Sequence, residues 1–113
     1  MLGLETALSV SIGALEGVLA PEAVLARLTS APAAIAGVSS AHRPAALAQG
    51  GPLVVGAAGH LCVFDPAATY TVDAHRQASR SRNTPFAGTT LRGRVRHTLY
   101  RGFPVVIDAE LQR

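Results

Sequence analysis

Residues 79–95 carry the sequence feature that most constrains the fold of this chain. The segment reads SRSRNTPFAGTTLRGRV and has no helical period. Pro85 fixes its own φ and favours an extended conformation at Thr84, while Gly88 and Gly93 allow sharp turns. The segment therefore predicts an irregular, arginine-rich connection between a helix-like first half and a strand-like tail. Taken alone, it is also typical of a solvated surface loop.

The first half of the chain has the spacing of amphipathic helices. Leucine and isoleucine recur at steps of three or four residues, on one stripe formed by Leu4, Leu8, Ile12, Leu15 and Leu19. Pro21 ends this helix and starts a second one over residues 21–28. Ser30 is expected to cap a short third helix that ends near Ala36, and Glu5 is placed to interact favourably with the dipole of the first helix. The spacing fits both a small helical bundle and helices that pack on a larger barrel.

The second half of the chain predicts strands. Residues 61–64 form an apolar run that predicts a buried strand, and residues 70–72 predict a second strand at a sheet edge. Apolar and polar residues then alternate over residues 94–100, with the period of two that a strand requires. Arg101-Gly102 predicts a tight turn, and residues 103–107 predict the returning strand of a hairpin. We expect residues 108–113 to fray.

Composition limits the core and the compartment. The chain has 113 residues, of which 49% are hydrophobic but only 4% aromatic, so a self-sufficient core is not expected. The single Cys62 excludes an internal disulfide and a cysteine-rich zinc site, and its apolar surroundings predict a buried, inert thiol. No apolar run of 18 residues and no basic N-terminal region occur, so we expect no transmembrane span, no signal peptide and a cytoplasmic location.

The charge is distributed unevenly. Two arginines oppose five carboxylates in residues 1–75, a net charge of −3, whereas eight arginines oppose two carboxylates in residues 76–113, a net charge of +6. A basic tail of this kind can bind nucleic acid or can form a solvated loop and sheet face. Because no stacking aromatics are interleaved with the arginines, nucleic-acid binding is not expected.

Three stretches of the chain resemble the end of dihydroorotases, members of the cyclic amidohydrolase family that also contains allantoinase and dihydropyrimidinase. Segment 79–95 resembles the family run S-x-S-x-N-T-P-F-x-G-x-x-L-x-G-x-V, where allantoinases read more like S-P-Y. GLETAL, residues 3–8, resembles the segment after the last barrel strand, and LCVFDP, residues 61–66, resembles a D-L-x-V-x-D-P strand. The residues that carry this structural signature are Gly3, Leu4, Glu5, Asp65, Pro66, Ser79, Arg80, Asn83, Thr84, Pro85, Phe86, Gly88 and Gly93.

The resemblance implies an α+β fragment of such an enzyme. Residues 1–36 correspond to the terminal helices of a (β/α)8 barrel, residues 37–52 to a linker loop, and residues 53–113 to the C-terminal part of a small β-sandwich. The parent activity is the metal-dependent interconversion of N-carbamoyl-L-aspartate and (S)-dihydroorotate in pyrimidine biosynthesis, usually with zinc held by His, Asp and a carboxylated Lys. The partners that this implies are the small-molecule substrate and either a second copy of the chain or an aspartate carbamoyltransferase.

The catalytic motifs of that family do not occur in the chain. It contains no lysine, no H-x-H and no D-H-A-P-H-like motif, and no two of its four histidines have the spacing of metal ligands. We therefore assign no catalytic, substrate-binding or metal-ligating residue and expect the chain alone to be inactive and to bind no zinc. His97 is expected to be packed or half-exposed in its strand.

Two other classes of function remain open from the sequence. The first is a non-catalytic dihydroorotase-like subunit that supports an aspartate carbamoyltransferase, or a fragment of an allantoinase- or dihydropyrimidinase-type enzyme. The second is a small basic binding module. Co-purification with a carbamoyltransferase would favour the first class, and salt-dependent retention on DNA or heparin would favour the second.

Overall fold

The computed structural model describes residues 1–112 and places helices before strands, as the sequence predicts. Four strands form one antiparallel sheet in the order β1-β2-β3-β4, so β1 lies at an edge. The elements are α1 (Ala7–Leu15), α2 (Pro21–Leu28), α3 (Ser30–Ile35), a 3-10 turn (Ala45–Leu47), β1 (Leu61–Thr71), β2 (Thr90–Tyr100), β3 (Phe103–Ile107) and β4 (Glu110–Leu111). Within the described residues, no helix is long and apolar enough to cross a membrane.

Helix α1 is shorter than the apolar stripe that predicts it. Residues 4–6 form a turn in which the backbone N–H and the hydroxyl of Thr6 both donate to the carbonyl of Gly3, at 3.2 Å each. Thr6 is buried, whereas the Leu4 side chain is 96% exposed. Glu5 thus lies before the helix, and the first turn of α1 contains no acidic residue. The prediction that Glu5 interacts with the dipole of α1 is therefore wrong.

The second helix has the bounds that Pro21 predicts, but the cap of the third helix differs from the prediction. Thr29 occupies the N-cap of α3 and makes no side-chain cap bond. Both hydroxyls instead donate to α2 carbonyls, Thr29 to Leu25 at 2.7 Å and Ser30 to Ala26 at 3.4 Å. Because these hydroxyls already have partners in the preceding turn, Ser30 is part of the helix and not its cap.

The contact between α1 and β2 connects the helical half to the sheet. The Ser9 hydroxyl donates to the carbonyl of Gly93 at 2.6 Å and lies 3.0 Å from the Tyr70 hydroxyl of β1. Gly93 has φ +91°, and a Cβ there would lie 3.0 Å from Cδ1 of Ile12. The helix therefore approaches the strand most closely where the strand has no side chain.

Strand β1 combines the two strands that the sequence predicts separately. Its pairing with β2 shifts register between Asp65 and Thr69. In this bulge Oδ1 of Asp65 accepts the backbone N–H groups of Ala67 and Ala68, at 2.9 and 3.1 Å. Pro66, which has no N–H to donate, lies in the bulge, where a strand tolerates it. The predicted edge position of residues 70–72 is confirmed for residues 70 and 71, since β1 is an edge strand.

The hairpin β2–β3 confirms the prediction made from the period of two. Arg101 and Gly102 both have positive φ, 51° and 81°, which is the geometry of a two-residue turn matched to the twist of its strands. Strand β2 begins at Thr90, four residues before the predicted start. Pairing shifts register between Thr98 and Leu99, where Pro104 is the strand partner.

The prediction that the tail frays is wrong for residues 108–112. Arg113 lies outside the described residues. A second turn at Asp108 and Ala109, with φ of 50° and 67°, returns the chain to β3 as the short strand β4. The backbone N–H of Asp108 donates to Nδ1 of His97 at 3.3 Å, and its carboxylate lies 3.5 Å from Arg96. These contacts hold a turn for which the sequence contains no glycine.

Few apolar side chains are fully buried. The buried hydrophobic residues in the described part of the chain are Val24, Ala33 and Val72. Residues 53–55, in contrast, are three consecutive large hydrophobics that are 60% exposed or more. The interior therefore contributes little hydrophobic stabilisation, as the low aromatic content predicts.

Cys62 lies on the edge strand, and its predicted burial is wrong because the residue is exposed. Neighbouring atoms still desolvate the sulfur and raise the pKa of the thiol above its ordinary value. A hydrogen bond with Thr98, the partner of Cys62 on β2, opposes this rise. The thiol therefore stays protonated at neutral pH, which lowers its reactivity despite its exposure.

We predict that replacing Gly93 with alanine destabilises the chain. The Ile12 methyl can move aside, but φ +91° is strained for any L side chain, at a cost of about 1–3 kcal/mol. Gly13, in α1, is the matched control, since a Cβ there meets nothing within 4 Å. Gly13→Ala should stabilise the helix by ~0.5–1 kcal/mol. Urea denaturation measures both, and equal stability of the two variants would contradict the role of Gly93.

We also predict a raised pKa for the Cys62 thiol in the folded chain. The rate of alkylation by iodoacetamide, measured against pH, should give a higher pKa for the folded chain than for the urea-unfolded chain. Thr98→Val removes the hydrogen bond that favours the thiolate and should raise the pKa further. A folded-state pKa at or below that of the unfolded chain would contradict this.

Candidate functional site

The signature loop, residues 77–88, connects β1 to β2 and is ordered by its own hydrogen bonds. The N–H of Gly88 donates to the carbonyl of Val72 at 2.8 Å and closes the loop beside the sheet. The hydroxyl of Thr84 accepts the N–H of Phe86 at 3.3 Å, across the proline between them. Thr84 is itself buried. The irregular conformation predicted for this segment is confirmed up to residue 89, after which the chain enters β2.

The side chain of Arg82 lies against the backbone of the signature loop. Its Nη1 donates to the carbonyl of Ser79, to that of Gln77 at 3.1 Å and, more weakly, to that of Ser81 at 3.5 Å. Three carbonyls of alternate residues thus point toward one guanidinium group. A loop of this length has few internal partners for its carbonyls, and the arginine satisfies three of them.

The N-terminal turn, residues 2–6, is bonded to the opposite side of the same backbone. The two carboxylate oxygens of Glu5 accept the consecutive N–H groups of Ala78 and Ser79, at 3.2 and 3.3 Å. The N–H of Leu2 donates to the carbonyl of Asn83 at 2.8 Å. Two of the stretches that carry the sequence resemblance, GLETAL and segment 79–95, therefore meet in space although more than 70 residues separate them in the chain.

The third stretch lies apart from this junction. Asp65 and Pro66 form the bulge of β1, which borders an apolar cleft of about 400 Å³ between the sheet and helices α1 and α2. Its lining includes Ile12, Leu15, Leu19, Val24, Leu25 and Phe64. The structure thus brings two of the three sequence signatures together and leaves the third to border an apolar surface.

A larger, polar cleft of about 560 Å³ lies beside the N-terminal turn and the β3–β4 turn. Charged and polar side chains of both signs line it, among them Glu5, Asp73, Arg76, Gln77, Arg94 and Glu110. The side-chain oxygen of Gln77 is buried without a hydrogen-bond partner. Because that oxygen is sealed from solvent, it offers nothing to a ligand in the cleft. Because charges of both signs line the cleft, its electrostatics favour neither an anion nor a cation as a ligand.

No group of three metal-ligating side chains occurs among residues 1–112. The histidines lie apart in different environments. His60 packs its ring on Tyr100 with centroids 4.9 Å apart, and Nδ1 of His42 lies 3.5 Å from the Ser39 hydroxyl. His97 is half-exposed, as predicted, beside Asp108. The residues described here therefore do not fit the zinc ion that the sequence resemblance implies.

Part of the basic tail has partners within the chain. Three arginines pair with carboxylates, and a fourth contacts loop carbonyls as described above. The pairs are Arg76–Glu110 at 3.0 Å, Arg92–Glu16 at 2.5 Å and Arg96–Asp108 at 3.5 Å. All three are solvent-exposed pairs and contribute little to stability, roughly 0–1 kcal/mol each. Their exposure is that of ion pairs on a solvated face of the chain.

Sequence reasoning missed two groups that the structure places at these junctions. Arg82 occupies a variable position of the signature pattern, and Ser9 and Tyr70 have no motif at all. The sequence does not indicate that an arginine in an aperiodic loop will donate hydrogen bonds to the backbone of that loop.

Curated proteins similar to this chain are named dihydroorotases. The similarity is 41% identity over 103 residues to the protein of Anaeromyxobacter dehalogenans, which covers 90% of this chain and 22% of the relative. It is 39% identity over 114 residues to that of Mycobacterium tuberculosis, covering 99% and 25%, and 40% over 113 residues to that of Streptomyces coelicolor, covering 98% and 24%. No protein-family model matches the chain.

These similarities cover nearly all of this chain and confirm the resemblance drawn from the signature stretches. The chain spans about a quarter of the length of the curated relatives it matches. It is thus related to dihydroorotases, and its extent is that expected of their C-terminal part.

Proposed function

We propose that this chain is the C-terminal portion of a dihydroorotase-type cyclic amidohydrolase. The reaction is the reversible closure of N-carbamoyl-L-aspartate to (S)-dihydroorotate. The observation that carries the proposal is the similarity of about 40% identity, over nearly the whole chain, to several dihydroorotases. The contact between the N-terminal turn and the signature loop supports it, since both segments belong to the motifs that resemble the family.

The proposal assigns a structural role to each part of the chain. Residues 1–36 are the terminal helices of the barrel, residues 37–52 a linker, and residues 53–113 strands of a small β-sandwich. The apolar cleft and the exposed residues 53–55 are surfaces that the remainder of the enzyme covers. Zinc, where the enzyme uses it, takes its ligands from that remainder, because the chain has no lysine and its histidines are scattered. We derive no catalytic step from the residues of this chain.

A chimera with a relative tests the proposal. The chain replaces the homologous 114-residue stretch of the Mycobacterium tuberculosis dihydroorotase, to which it is 39% identical. We expect the chimera to hydrolyse dihydroorotate, because the chain supplies only the supporting part of the fold. The control is the same enzyme with that stretch deleted. A soluble, folded chimera that shows no more turnover than the deletion control would contradict the proposal.

The chain alone is expected to have no dihydroorotase activity and to bind no stoichiometric zinc. A hydrolytic zinc site needs three or more protein ligands that converge on the ion, and four scattered histidines do not supply them. Dihydroorotate hydrolysis and metal content are measured on the same sample at neutral to alkaline pH. Turnover above that of a chelator-treated sample would reveal a different active site.

The chain alone is also expected to be marginally stable or to self-associate. Its exposed side chains include Leu53 at 82%, Val55 at 106% and Phe103 at 74%, while its fully buried apolar core is small. Apolar surface of this kind promotes association. Sedimentation velocity at several concentrations, together with a thermal melt, measures both properties. A strict monomer with a sharp two-state melt would contradict the expectation.

A further inference from the structure

The signature loop is held from two sides by groups of opposite charge. On one side the Glu5 carboxylate accepts the N–H groups of Ala78 and Ser79, at 3.2 and 3.3 Å. On the other side the guanidinium of Arg82 takes the carbonyls of Gln77 and Ser79. The N–H of Ser79 thus donates to the Glu5 carboxylate, and the carbonyl of Ser79 accepts from the Arg82 guanidinium. Hydrogen bonds to ionised groups are stronger than neutral ones, and bonds in series polarise one another.

The carboxylate of Glu5 is the one side-chain group in this arrangement that belongs to the N-terminal turn. The remaining bond between the two segments runs from the Leu2 N–H to the Asn83 carbonyl, at 2.8 Å, and is made by backbone alone. The turn is otherwise closed by Thr6, which bonds back to Gly3. Glu5 therefore supplies the side-chain part of the link between the turn and the loop, beside the backbone bond of Leu2.

We propose that Glu5 is a positioning residue that fixes the direction in which the chain passes through residues 2–6. This inference rests on the function proposed above, in which the polypeptide that leads into GLETAL belongs to the barrel of the enzyme. Glu5 contacts no substrate. It acts through the signature loop, to which its hydrogen bonds hold the N-terminal turn.

The expected effect on catalysis rests on the proposed function, in which the reacting groups belong to the rest of the enzyme. A reacting group displaced by about 1 Å can lose ~100-fold in rate, while a substrate that is bound elsewhere keeps its affinity. Loss of Glu5 should therefore lower kcat by roughly 10- to 100-fold and leave KM almost unchanged. A residue needed only for folding would lower the amount of active enzyme and not the kcat of each folded molecule.

The first measurement tests the contact in the 113-residue chain and needs no activity. Hydrogen exchange of the Ala78 and Ser79 amides is compared among the unaltered chain, Glu5→Ala and Glu5→Gln. Glu5→Ala should accelerate exchange at both amides, whereas Glu5→Gln, which keeps one acceptor oxygen, should accelerate it less. Glu22→Ala is the matched control, because Glu22 lies in the first turn of α2 and makes no hydrogen bond or ion pair with residues of the signature loop. Unchanged exchange in Glu5→Ala would overturn the proposal.

The second measurement tests positioning in the chimera described above. Glu5→Ala should reduce kcat with KM retained, Glu5→Gln should restore part of the loss, and Glu22→Ala should match the parent chimera. Active-site titration or metal content corrects for misfolded protein. Faster amide exchange with an unchanged kcat would mean that Glu5 orders the loop without positioning the enzyme, and would overturn the proposal. An inactive parent chimera would contradict the proposed function instead. Hydrogen exchange alone would then test whether Glu5 bonds to the signature loop.

Discussion

The close approach of α1 to β2 at Gly93 is the constraint on which the rest of the structure depends. The bond from the Ser9 hydroxyl to the Gly93 carbonyl, at 2.6 Å, ties the helix to the strand, and Tyr70 extends the same contact to β1. Gly93 makes this possible because its positive φ turns the backbone there and because no Cβ separates the two elements. The loss of this contact would remove the hydrogen bond that joins helix α1 directly to strand β2.

Electrostatic attraction between the two halves of the chain reinforces that contact. The first half is acidic and the tail is basic, and Glu16 pairs with Arg92 one residue from the close approach. Glu5 binds backbone N–H groups of the arginine-rich loop in the same sense. At these positions, acidic side chains of the first half therefore contact the arginine-rich second half, and the exposed ion pair adds little to stability.

Local signals predicted the parts of the fold that local physics determines. Pro21 set the start of α2, and Arg101-Gly102 set the turn of the first hairpin, because each imposes backbone angles directly. The second hairpin was missed, since Asp108 and Ala109 adopt positive φ without a glycine and depend on contacts with β2. The bulge at Asp65 was read as the end of a strand for a similar reason. The Asp65 carboxylate accepts two backbone N–H groups that would otherwise bond to the neighbouring strand. The sequence does not reveal that pairing with β2 resumes at Thr69.

The junction of the signature stretches was beyond local reasoning for a different reason. Nothing in the spacing of Glu5 indicates that it will bond to backbone more than 70 residues away, and nothing at Arg82 indicates a bond to the backbone of its own loop, because any residue can supply a backbone group.

The same limit explains the interior of the molecule. Thr6, Ser9 and Thr84 are buried polar residues whose hydroxyls all have hydrogen-bond partners, while leucine and valine of residues 53–55 face outward. The Ser9 hydroxyl joins distant segments, while those of Thr6 and Thr84 bond within their own turns, and all three supply little of the free energy that burial of large apolar side chains provides. The interior of the described residues is therefore specific but small, and large apolar side chains lie exposed beside it.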